Sequence, residues 1–280
     1  MEFPGGIDSC LCAALAKPVC DGLGIPLIGR SLPISTNAPE EIERAKLTGE
    51  AFCTNFEQIN LTSYFDIISD DLIPGIKHDT PETEAKEYKI RDGNIKARLR
   101  MIYLYDLASK NHGMVLSTDN YTEFLLGFWT LHGDVGDYGM IQNLYKTEVY
   151  DMAEYLMHTF PCYSSKIDFP GLQNIEKSST EEYWTLKTTI EALATDGLGV
   201  TSLGDLGQIL PDFKGTSRDG YKEVDKILHI FLLLKNEALM TPKVIKAIDK
   251  MITHPVIQRH LNTGFKRKNP VNIDRNLIEK

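Results

Sequence analysis

Short apolar segments alternate with helical segments in the first half of this 280-residue chain. Ile25–Ser31 and Gly113–Ser117 have the apolar, turn-flanked composition of short buried strands. Pro39–Phe52 and Lys96–Lys110 have the composition of helices, and apolar residues in the second recur with the helical period. Strands separated by helices in this way predict an α/β fold with a doubly wound parallel sheet. In such sheets, ligands bind outside the carboxyl ends of the strands.

The rest of the chain is predicted to be mainly helical, with polar segments between the helices. The polar residues 77–94 include Pro81 and Gly93 and are predicted to form a loop, either a lid or a solvated linker. The further predicted elements are a first helix ending near Gly22–Gly24, a weak strand at Phe56–Leu61, a short helix or turn at Asp66–Ile76, helices at Tyr121–Thr130, Lys146–Met157, Thr180–Leu193, Tyr221–Lys235 and Thr241–Met251, and loops at Gly133–Gly139 and Ser164–Ser179.

Two adjacent glycines, Gly5 and Gly6, come directly before the first predicted helix. Their backbone can turn tightly and bring N–H groups close to a bound anion, and the helix N-terminus adds further N–H groups and positive dipole. Asp8 can hold a divalent cation, and the Ser9 hydroxyl can donate a hydrogen bond to a phosphate oxygen. The segment therefore indicates a pyrophosphate site, although Gly-Gly before a helix also occurs as a simple turn.

Acidic residues elsewhere in the chain could complete a metal site beside this segment. Glu123 follows a predicted strand, so that Asp8 and Glu123 could supply two carboxylates to one Mg²⁺ ion, which prefers oxygen ligands and substrate phosphates. Asp134 and Asp137 lie in a glycine-rich loop. Each of these acids, taken alone, could instead be a solvated or capping carboxylate, and the sequence leaves both interpretations open.

Composition argues against several classes of function. The formal net charge is −9, whereas nucleic-acid-binding proteins usually have the opposite balance, so no nucleic-acid partner is expected. The five cysteines form no C-x-x-C pair, which predicts reduced thiols in the cytoplasm. A metal site at Cys10, Cys12 and Cys20 is disfavoured because it lacks a fourth ligand. The longest apolar run, Ile227–Leu234, is too short to span a bilayer, and no signal peptide is evident, so no membrane partner is expected.

Several motifs, in order along the chain, resemble the NAD synthetase family within the ATP pyrophosphatase (PP-loop) group. Residues 4–9, PGGIDS, resemble the S-G-G-x-D-S loop of that group, with Pro4 in the place of the first serine. Residues 93–101, GNIKARLRM, resemble the family's G-N-x-x-A-R-x-R-M helix, and residues 117–123 resemble its G-T-x-x-x-x-E segment. Further matches, weaker near the end of the chain, occur at residues 127–130, 132–134, 143–147, 195–200 and 265–267.

This resemblance implies a Rossmann-like adenine nucleotide alpha hydrolase fold and a single domain over residues 1–280, with no glutaminase domain. It implies that ATP adenylates the nicotinate carboxylate of deamido-NAD, and that ammonia then displaces AMP to give NAD, in a homodimer that uses Mg²⁺. Asp8 and Lys146 are implied as catalytic groups, and Asp8 and Glu123 as magnesium ligands. The implied ATP-binding residues are Pro4, Gly5, Gly6, Asp8, Ser9, Arg30, Thr118, Lys146 and Thr195, and those implied for deamido-NAD are Arg91, Asn94, Asp137, Phe265 and Lys266.

The sequence departs from the family pattern at three places. Pro4 removes a hydroxyl and an N–H group from the loop. Leu131 stands where many members have a lysine, a contact that His132 could replace. Only three residues precede Pro4, too few for the family's buried first strand and N-terminal helix. We therefore expect that the chain is short at its start or inactive, and that the two flanking strands close the gap and move the loop away from Glu123 and Arg30.

Two other hypotheses remain open from the sequence. Another ATP pyrophosphatase, such as a tRNA-thiolating or GMP-aminating enzyme, would share the glycine loop. Thiolating members generally need catalytic cysteines and a basic RNA-binding face, neither of which the sequence indicates. Alternatively, a truncated homologue could bind a nucleotide or dimerise without catalysing a reaction.

Overall fold

The computed structural model describes residues 1–34, 37–72, 82–159, 180–191, 205–236 and 240–268. Thr195 and the predicted loop Ser164–Ser179 lie outside the described residues. The strands are β1 (Ile28–Ser31), β2 (Asn55–Gln58), β3 (Leu116–Ser117) and β4 (Tyr138–Gly139). The helices are α1 (Ile7–Leu23), α2 (Pro39–Phe52), α3 (Thr62–Leu72), α4 (Glu82–Lys110), α5 (Tyr121–Leu126), α6 (Lys146–Thr159), α7 (Thr180–Glu191), α8 (Asp205–Ile209), α9 (Ser217–Asn236), α10 (Pro242–Ile252) and α11 (Pro255–Asn262), followed by a 3-10 helix at Lys266–Lys268.

The strands pair in parallel, as the sequence predicts. β1 lies beside β2, with Ile28 opposite Asn55 and Ser31 opposite Gln58. β3 lies beside β4, with Leu116 opposite Tyr138. A helix lies in the connection between the two strands of each pair, α2 in the first and α5 in the second. This is the alternation of strand and helix that a parallel sheet requires.

The first residues, Met1–Phe3, lie beside β1 as a third parallel segment. The Phe3 N–H donates to the Arg30 carbonyl oxygen at 2.8 Å, and the Arg30 N–H donates to the Met1 carbonyl oxygen at 3.0 Å. The Phe3 side chain is fully buried. The expectation that the strands flanking this segment close together was wrong, because β1 and β3 lie in separate pairs within the described residues. The glycine loop also keeps its place near Glu123, because Asp8 in the first turn of α1 and Glu123 both contact Lys146.

Helix α1 lies in the main core of the protein. Its buried residues are small for much of its length, which lets α2, α6 and α7 pack closely against it. Packing on several sides fixes the direction of α1 and hence the position of the Gly5–Gly6 turn before it. A second buried cluster contains residues of α3 and α4 and of the segments beside β1 and β3, and its members are Leu32, Ile34, Leu61, Phe65, Leu104 and Val115.

The prediction of a loop over residues 77–94 was wrong for its described part, because α4 already begins at Glu82. Most residues between positions 82 and 91 are Glu, Ala, Lys or Arg, which have high helix propensity and extend the amphipathic helix towards its N-terminus. Gly93 lies inside this helix and is buried. Helices α8 and α11 were not predicted. The second of these begins with Pro255 and is capped by the His254 side chain.

Candidate active site

The Gly5–Gly6 turn is tightly constrained by its neighbours. Gly5 has a φ of 91°, and a Cβ atom there would lie 2.3 Å from the carbonyl oxygen of Glu41, so only glycine fits. Gly6 is the N-cap of α1, and a Cβ atom there would meet open space. The Ser9 hydroxyl, predicted to face a phosphate, is buried and donates to the Gly6 carbonyl oxygen at 3.1 Å. Because Gly6 has no side chain with which to cap α1, the first N–H groups of the helix can bind an anion.

Asp8, Glu123 and Lys146 meet at one point near this turn. The Lys146 Nζ forms an ion pair with Asp8 Oδ2 and a longer one, of 3.5 Å, with Glu123 Oε1. Asp8 and Glu123 lie in the first turns of α1 and α5, and Lys146 is the first residue of α6, so three helix N-termini converge here. The Lys146 side chain is only 5% exposed, whereas those of Asp8 and Glu123 are 16% and 18% exposed. Two partly open carboxylates thus share one buried cation.

Burial and nearby charges shift the pKa values of Lys146 and of the neighbouring Asp119. Burial disfavours the ammonium form of Lys146, but the carboxylates of Asp8 and Glu123 outweigh burial and raise its pKa, so the side chain stays charged. Burial raises the pKa of Asp119 to about 6, a hydrogen bond from Ser117 opposes that rise, and the charge of Asp8 adds to it. The Ser117 Oγ donates to Asp119 Oδ2 at 2.8 Å. Asp119 therefore gains its proton more readily than an exposed aspartate.

Asn120 organises the carboxylates, a role that the sequence patterns did not indicate. Its side chain is fully buried, and its Nδ2 donates to Asp8 Oδ1 at 2.9 Å. Its Oδ1 accepts from the Glu123 N–H at 3.0 Å, and its own N–H donates to Glu123 Oε2 at 3.2 Å. This reciprocal pair is a capping box, for which Asn followed three residues later by Glu is a sequence signature. Glu123 therefore caps its own helix and also contacts Lys146.

A cavity of about 550 Å³ opens with Asp119 in its wall. Its size is within the usual range for small-molecule sites. Most of the side chains around it are apolar or aromatic, including Phe124, Trp129 and Leu131. His132 also lines it and has a φ of 56°, in the left-handed region. An aromatic wall with few polar groups suits a planar organic ring.

Two of the residues implied for deamido-NAD binding, Asn94 and Asp137, hold segments near this cavity. The Thr130 Oγ1 donates to Asn94 Oδ1 at 2.9 Å, and the Tyr105 hydroxyl donates to Asp137 Oδ1 at 3.0 Å. The Thr130 N–H donates to Asp134 Oδ1 at 2.8 Å. Asp134 therefore serves as a loop-capping carboxylate, one of the two interpretations that the sequence left open.

The other three residues implied for deamido-NAD binding differ in their surroundings. The Lys266 Nζ donates to the carbonyl oxygen of Gly127 at 2.7 Å and to that of Trp129, so it fixes the end of α5 and the segment that carries Trp129 to the cavity. Phe265 is 60% exposed beside it. Arg91 is exposed on α4.

The structure places Arg30, another of the residues implied for ATP, outside the Asp8 cluster. Arg30 is buried on β1, where its Nη1 donates to Asn55 Oδ1 at 2.7 Å and its Nη2 lies 3.4 Å from Glu57 Oε2. These contacts direct the guanidinium towards β2. Thr118 directly follows β3, at the end where the cluster lies, and is partly buried. Thr195 lies outside the described residues.

Comparisons with known proteins match this arrangement to one family. A family model described as NAD synthase matches residues 2–164, more than half of the chain. The chain belongs to the NAD synthase family. A relative from Mannheimia succiniciproducens, named NH(3)-dependent NAD(+) synthetase, is 33% identical over 153 residues, which cover 54% of this chain and 58% of the relative. One from Finegoldia magna with the same name is 37% identical, covering 54% of this chain and 57% of the relative. The chain thus matches just over half the length of these relatives.

Other similarities extend over nearly the whole chain. The NH(3)-dependent NAD(+) synthetase of Fusobacterium nucleatum is 26% identical over 273 residues, 97% of this chain and 85% of the relative. The structure of NMN synthetase from Francisella tularensis aligns with a TM-score of 0.63 at 20% identity, covering 98% of this chain and 87% of that one. That of NH3-dependent NAD synthetase from Campylobacter jejuni aligns with a TM-score of 0.60 at 21% identity, covering 98% and 88%. These neighbours confirm the predicted Rossmann-like α/β fold. Within the described ranges, no helix has the length and apolar character needed to cross a membrane.

Proposed function

We propose that this protein is a ligase that makes NAD from deamido-NAD, ATP and ammonia, and that it releases AMP and pyrophosphate. The observation that carries the proposal is the meeting of Asp8, Glu123 and Lys146 beside the Gly5–Gly6 turn. Family membership and the ammonia-dependent relatives supply the identity of the substrates. Among the alternatives, neither another ATP pyrophosphatase nor a non-catalytic homologue is favoured by these matches.

The proposed reaction needs a group that stabilises departing pyrophosphate. A carboxylate is a poor electrophile, and transfer of AMP to the nicotinate carboxylate gives it a good leaving group, which ammonia then displaces. The turn at Gly5–Gly6 and the N-terminus of α1 offer backbone N–H groups to the β- and γ-phosphates of ATP. Lys146, held protonated between Asp8 and Glu123, is positioned to neutralise negative charge that develops on pyrophosphate.

The same two carboxylates fit a magnesium ion. In the structure they already share a cation, the Lys146 ammonium group, so Asp8 and Glu123 present their oxygens to positive charge at this point. Among the described residues, no group of three or more His, Cys, Asp and Glu side chains could hold a metal alone. Mg²⁺ held by Asp8 and Glu123 would therefore take its remaining ligands from ATP phosphates and water, as is usual for this ion. When bound, Mg²⁺ neutralises charge on the phosphates.

We place deamido-NAD in the cavity beside Asp119, with its pyridine ring against the aromatic wall that includes Phe124 and Trp129. Asn94, Asp137 and Lys266 hold the segments around that cavity. On the family resemblance, we propose that these three residues also approach deamido-NAD. The further binding residues that we propose rest on the family resemblance; they are Pro4, Ser9, Arg30, Thr118 and Thr195 for ATP, and Arg91 and Phe265 for deamido-NAD.

We further propose that residues 1–280 act as one NAD synthetase-like domain in a cytoplasmic homodimer. The homodimer follows from the family resemblance, and a reducing compartment agrees with the free thiols of Cys10, Cys12, Cys20 and Cys53. Size-exclusion chromatography with light scattering measures the mass in solution, for which the proposal expects twice the 31.5 kDa of one chain.

The function is tested by product analysis with the purified protein. The protein is incubated with deamido-NAD, MgATP and ammonium, and NAD, AMP and ADP are measured by chromatography. The proposal expects NAD and AMP in equal amounts, no ADP, and no AMP when deamido-NAD is omitted. Glutamine in place of ammonium should give no NAD. The variant Asp8→Ala should be inactive, whereas Asp21→Asn, on the exposed side of the same helix, should match the wild type. AMP release that does not depend on deamido-NAD would contradict the proposal and indicate another ATP pyrophosphatase, and binding of ATP without turnover would indicate a non-catalytic homologue.

A further inference from the structure

A buried carboxylate on α9, Asp225, accepts hydrogen bonds from the first turns of α5 and α6, the helices that carry Glu123 and Lys146. Its side chain is among the buried charged groups, with 6% exposure. Its Oδ2 accepts from the Thr147 N–H, in the first turn of α6, at 2.9 Å. Its Oδ1 accepts from the Thr122 hydroxyl, in the first turn of α5, at 2.5 Å, the short distance of a charge-assisted hydrogen bond. One carboxylate therefore holds the starts of two helices at once.

Thr122 transmits this connection to Lys146. Its hydroxyl donates its only proton to Asp225, so it accepts a second hydrogen bond through a lone pair, and that bond comes from the Lys146 N–H at 2.8 Å. Thr122 is fully buried, so water does not replace these partners. It also immediately precedes Glu123. The backbone of Lys146 and that of Glu123 are thus fixed to each other through Thr122 and Asp225.

We propose that Asp225, acting through Thr122, is a positioning residue that sets the first turns of α5 and α6 so that Lys146 and Glu123 face Asp8. The hydrogen bonds of Asp225 go to Thr122 and Thr147 and not to the groups that we place against substrate, so its geometric effect on Lys146 and Glu123 passes through these two threonines. Its role rests on the proposed function, because positioning matters to a reaction only if Lys146 takes part in one. Asp225 comes from a part of the chain beyond the matched residues 2–164.

The energetics of Asp225 favour a role in geometry over one in stability. Burial raises the pKa of Asp225, and the hydrogen bonds from Thr122 and Thr147 and the charge of Lys146 oppose that rise. The N-terminus of α6 adds a favourable dipole. A buried charge of this kind stabilises a fold little compared with an apolar side chain of similar volume, but removing one partner leaves the others unsatisfied. What it supplies is a fixed direction for each of its hydrogen bonds.

The matched pair Thr122→Val and Thr122→Ser tests the proposal. Valine has the shape of threonine but removes the hydroxyl, and so breaks both hydrogen bonds. Serine keeps the hydroxyl and loses only a methyl group. We expect Thr122→Val to lower kcat for NAD formation by about 10- to 100-fold, with a much smaller change in KM for ATP, because small displacements of a reacting group have effects of this size. Thr122→Ser should restore most of kcat. Asp225→Asn should resemble Thr122→Val, and Glu223→Gln, an exposed change on the same helix, should equal the wild type.

A second readout follows the position of Lys146 without any turnover. Amine acetylation followed by peptide mass spectrometry measures how quickly each lysine reacts. Lys146 should react slowly in the wild type because it is buried between two carboxylates, and severalfold faster in Thr122→Val. Lys96, equally buried and paired with Asp92 at 2.5 Å on α4, serves as the internal reference for general loosening of the fold.

The two readouts together decide the proposal. Faster acetylation of Lys146 alone, with a lower kcat that Thr122→Ser restores, supports it. Equal kcat values in Thr122→Val and Thr122→Ser, or equal acceleration of Lys146 and Lys96, would overturn it, because the network would then act on folding only. If the wild type makes no NAD, the proposed function fails, but the acetylation rates still report whether Asp225 and Thr122 position Lys146.

Discussion

The substitution Asp8→Asn gives a direct physical test of the cluster around Lys146. Asp8 accepts from two donors, Lys146 Nζ at Oδ2 and Asn120 Nδ2 at Oδ1. An amide has one oxygen and one NH₂ group, so in either orientation one of these donors would face another donor. The Asn120 side chain cannot simply flip, because its Oδ1 accepts from the Glu123 N–H. The variant therefore loses one charge-assisted hydrogen bond and leaves a buried donor unsatisfied.

The cost follows from these two losses. A hydrogen bond to a charged group contributes about 1.5–3 kcal/mol, and an unsatisfied buried donor costs about 1–3 kcal/mol. The contact that remains to Lys146, Glu123 Oε1 at 3.5 Å, offsets part of this. We expect the free energy of unfolding to fall by about 3 kcal/mol. The matched control is Asp21→Asn on the same helix, which removes an exposed ion pair with Lys17 at 3.1 Å and should cost about 0–1 kcal/mol.

Urea denaturation followed by circular dichroism at pH 7 measures both variants, with equal slopes required for a comparison of midpoints. The expected result is a large shift of the midpoint for Asp8→Asn and almost none for Asp21→Asn. If Asp8→Asn were as stable as the wild type, or more stable, Asp8 would not be holding a buried cation in the resting protein. The account of how Lys146 stays charged would then be incorrect.

Three further predictions concern the same region. Glu123→Gln should lower the rate of AMP release by about 10²-fold or more, as the loss of other preorganised electrostatic groups does. Asp119→Asn should lower that rate far less. Similar losses for the two variants in steady-state assays would refute the assignment of Asp8 and Glu123 as the metal-binding pair. Gly5→Ala should lower the free energy of unfolding by about 2 kcal/mol or more, because residue 5 has a positive φ and an added Cβ would meet the Glu41 carbonyl oxygen. Gly6→Ala should be tolerated, because a Cβ there meets open space. Thermal melting compares the two variants, and equal melting temperatures would contradict this prediction. The pKa of Asp119 is raised from 3.8 to about 6, so between these pH values the folded state binds a proton that the unfolded state does not. The stabilisation that this proton gives is lost as pH rises through the same range, by up to about 3 kcal/mol. Urea denaturation at pH 4 to 7 should show this decline in the wild type relative to Asp119→Asn, and parallel curves would count against it.

Local patterns in the sequence were sufficient for several parts of the structure. Pro39–Phe52 has a proline at its first position and glutamates in its first turn, and the helix has those same bounds. The closeness of the Gly5–Gly6 turn, Asp8 and Glu123 could be predicted, because strand ends and helix N-termini meet on one edge of a parallel sheet. The meeting of these groups with Lys146 agrees with the family motifs.

Contacts between distant parts of the chain could not be predicted in the same way. Asp225 lies 103 residues from Thr122 in sequence, and nothing near either residue indicates that they meet. The Lys266 side chain donates to two carbonyl oxygens of the segment after α5, a role that depends on where that segment ends. The pairing of Met1–Phe3 with β1 also depends on tertiary structure, because so short a segment has no periodicity of its own.

The most direct test of the central claim follows the oxygen atoms of the substrate. Deamido-NAD labelled with ¹⁸O in both carboxylate oxygens is converted with MgATP and ammonium, and the products are examined by mass spectrometry. If the carboxylate attacks the α-phosphorus and ammonia then displaces AMP, one labelled oxygen leaves with AMP, and the AMP formed carries one ¹⁸O atom while pyrophosphate carries none. Unlabelled AMP, or label in inorganic phosphate together with ADP, would contradict the account.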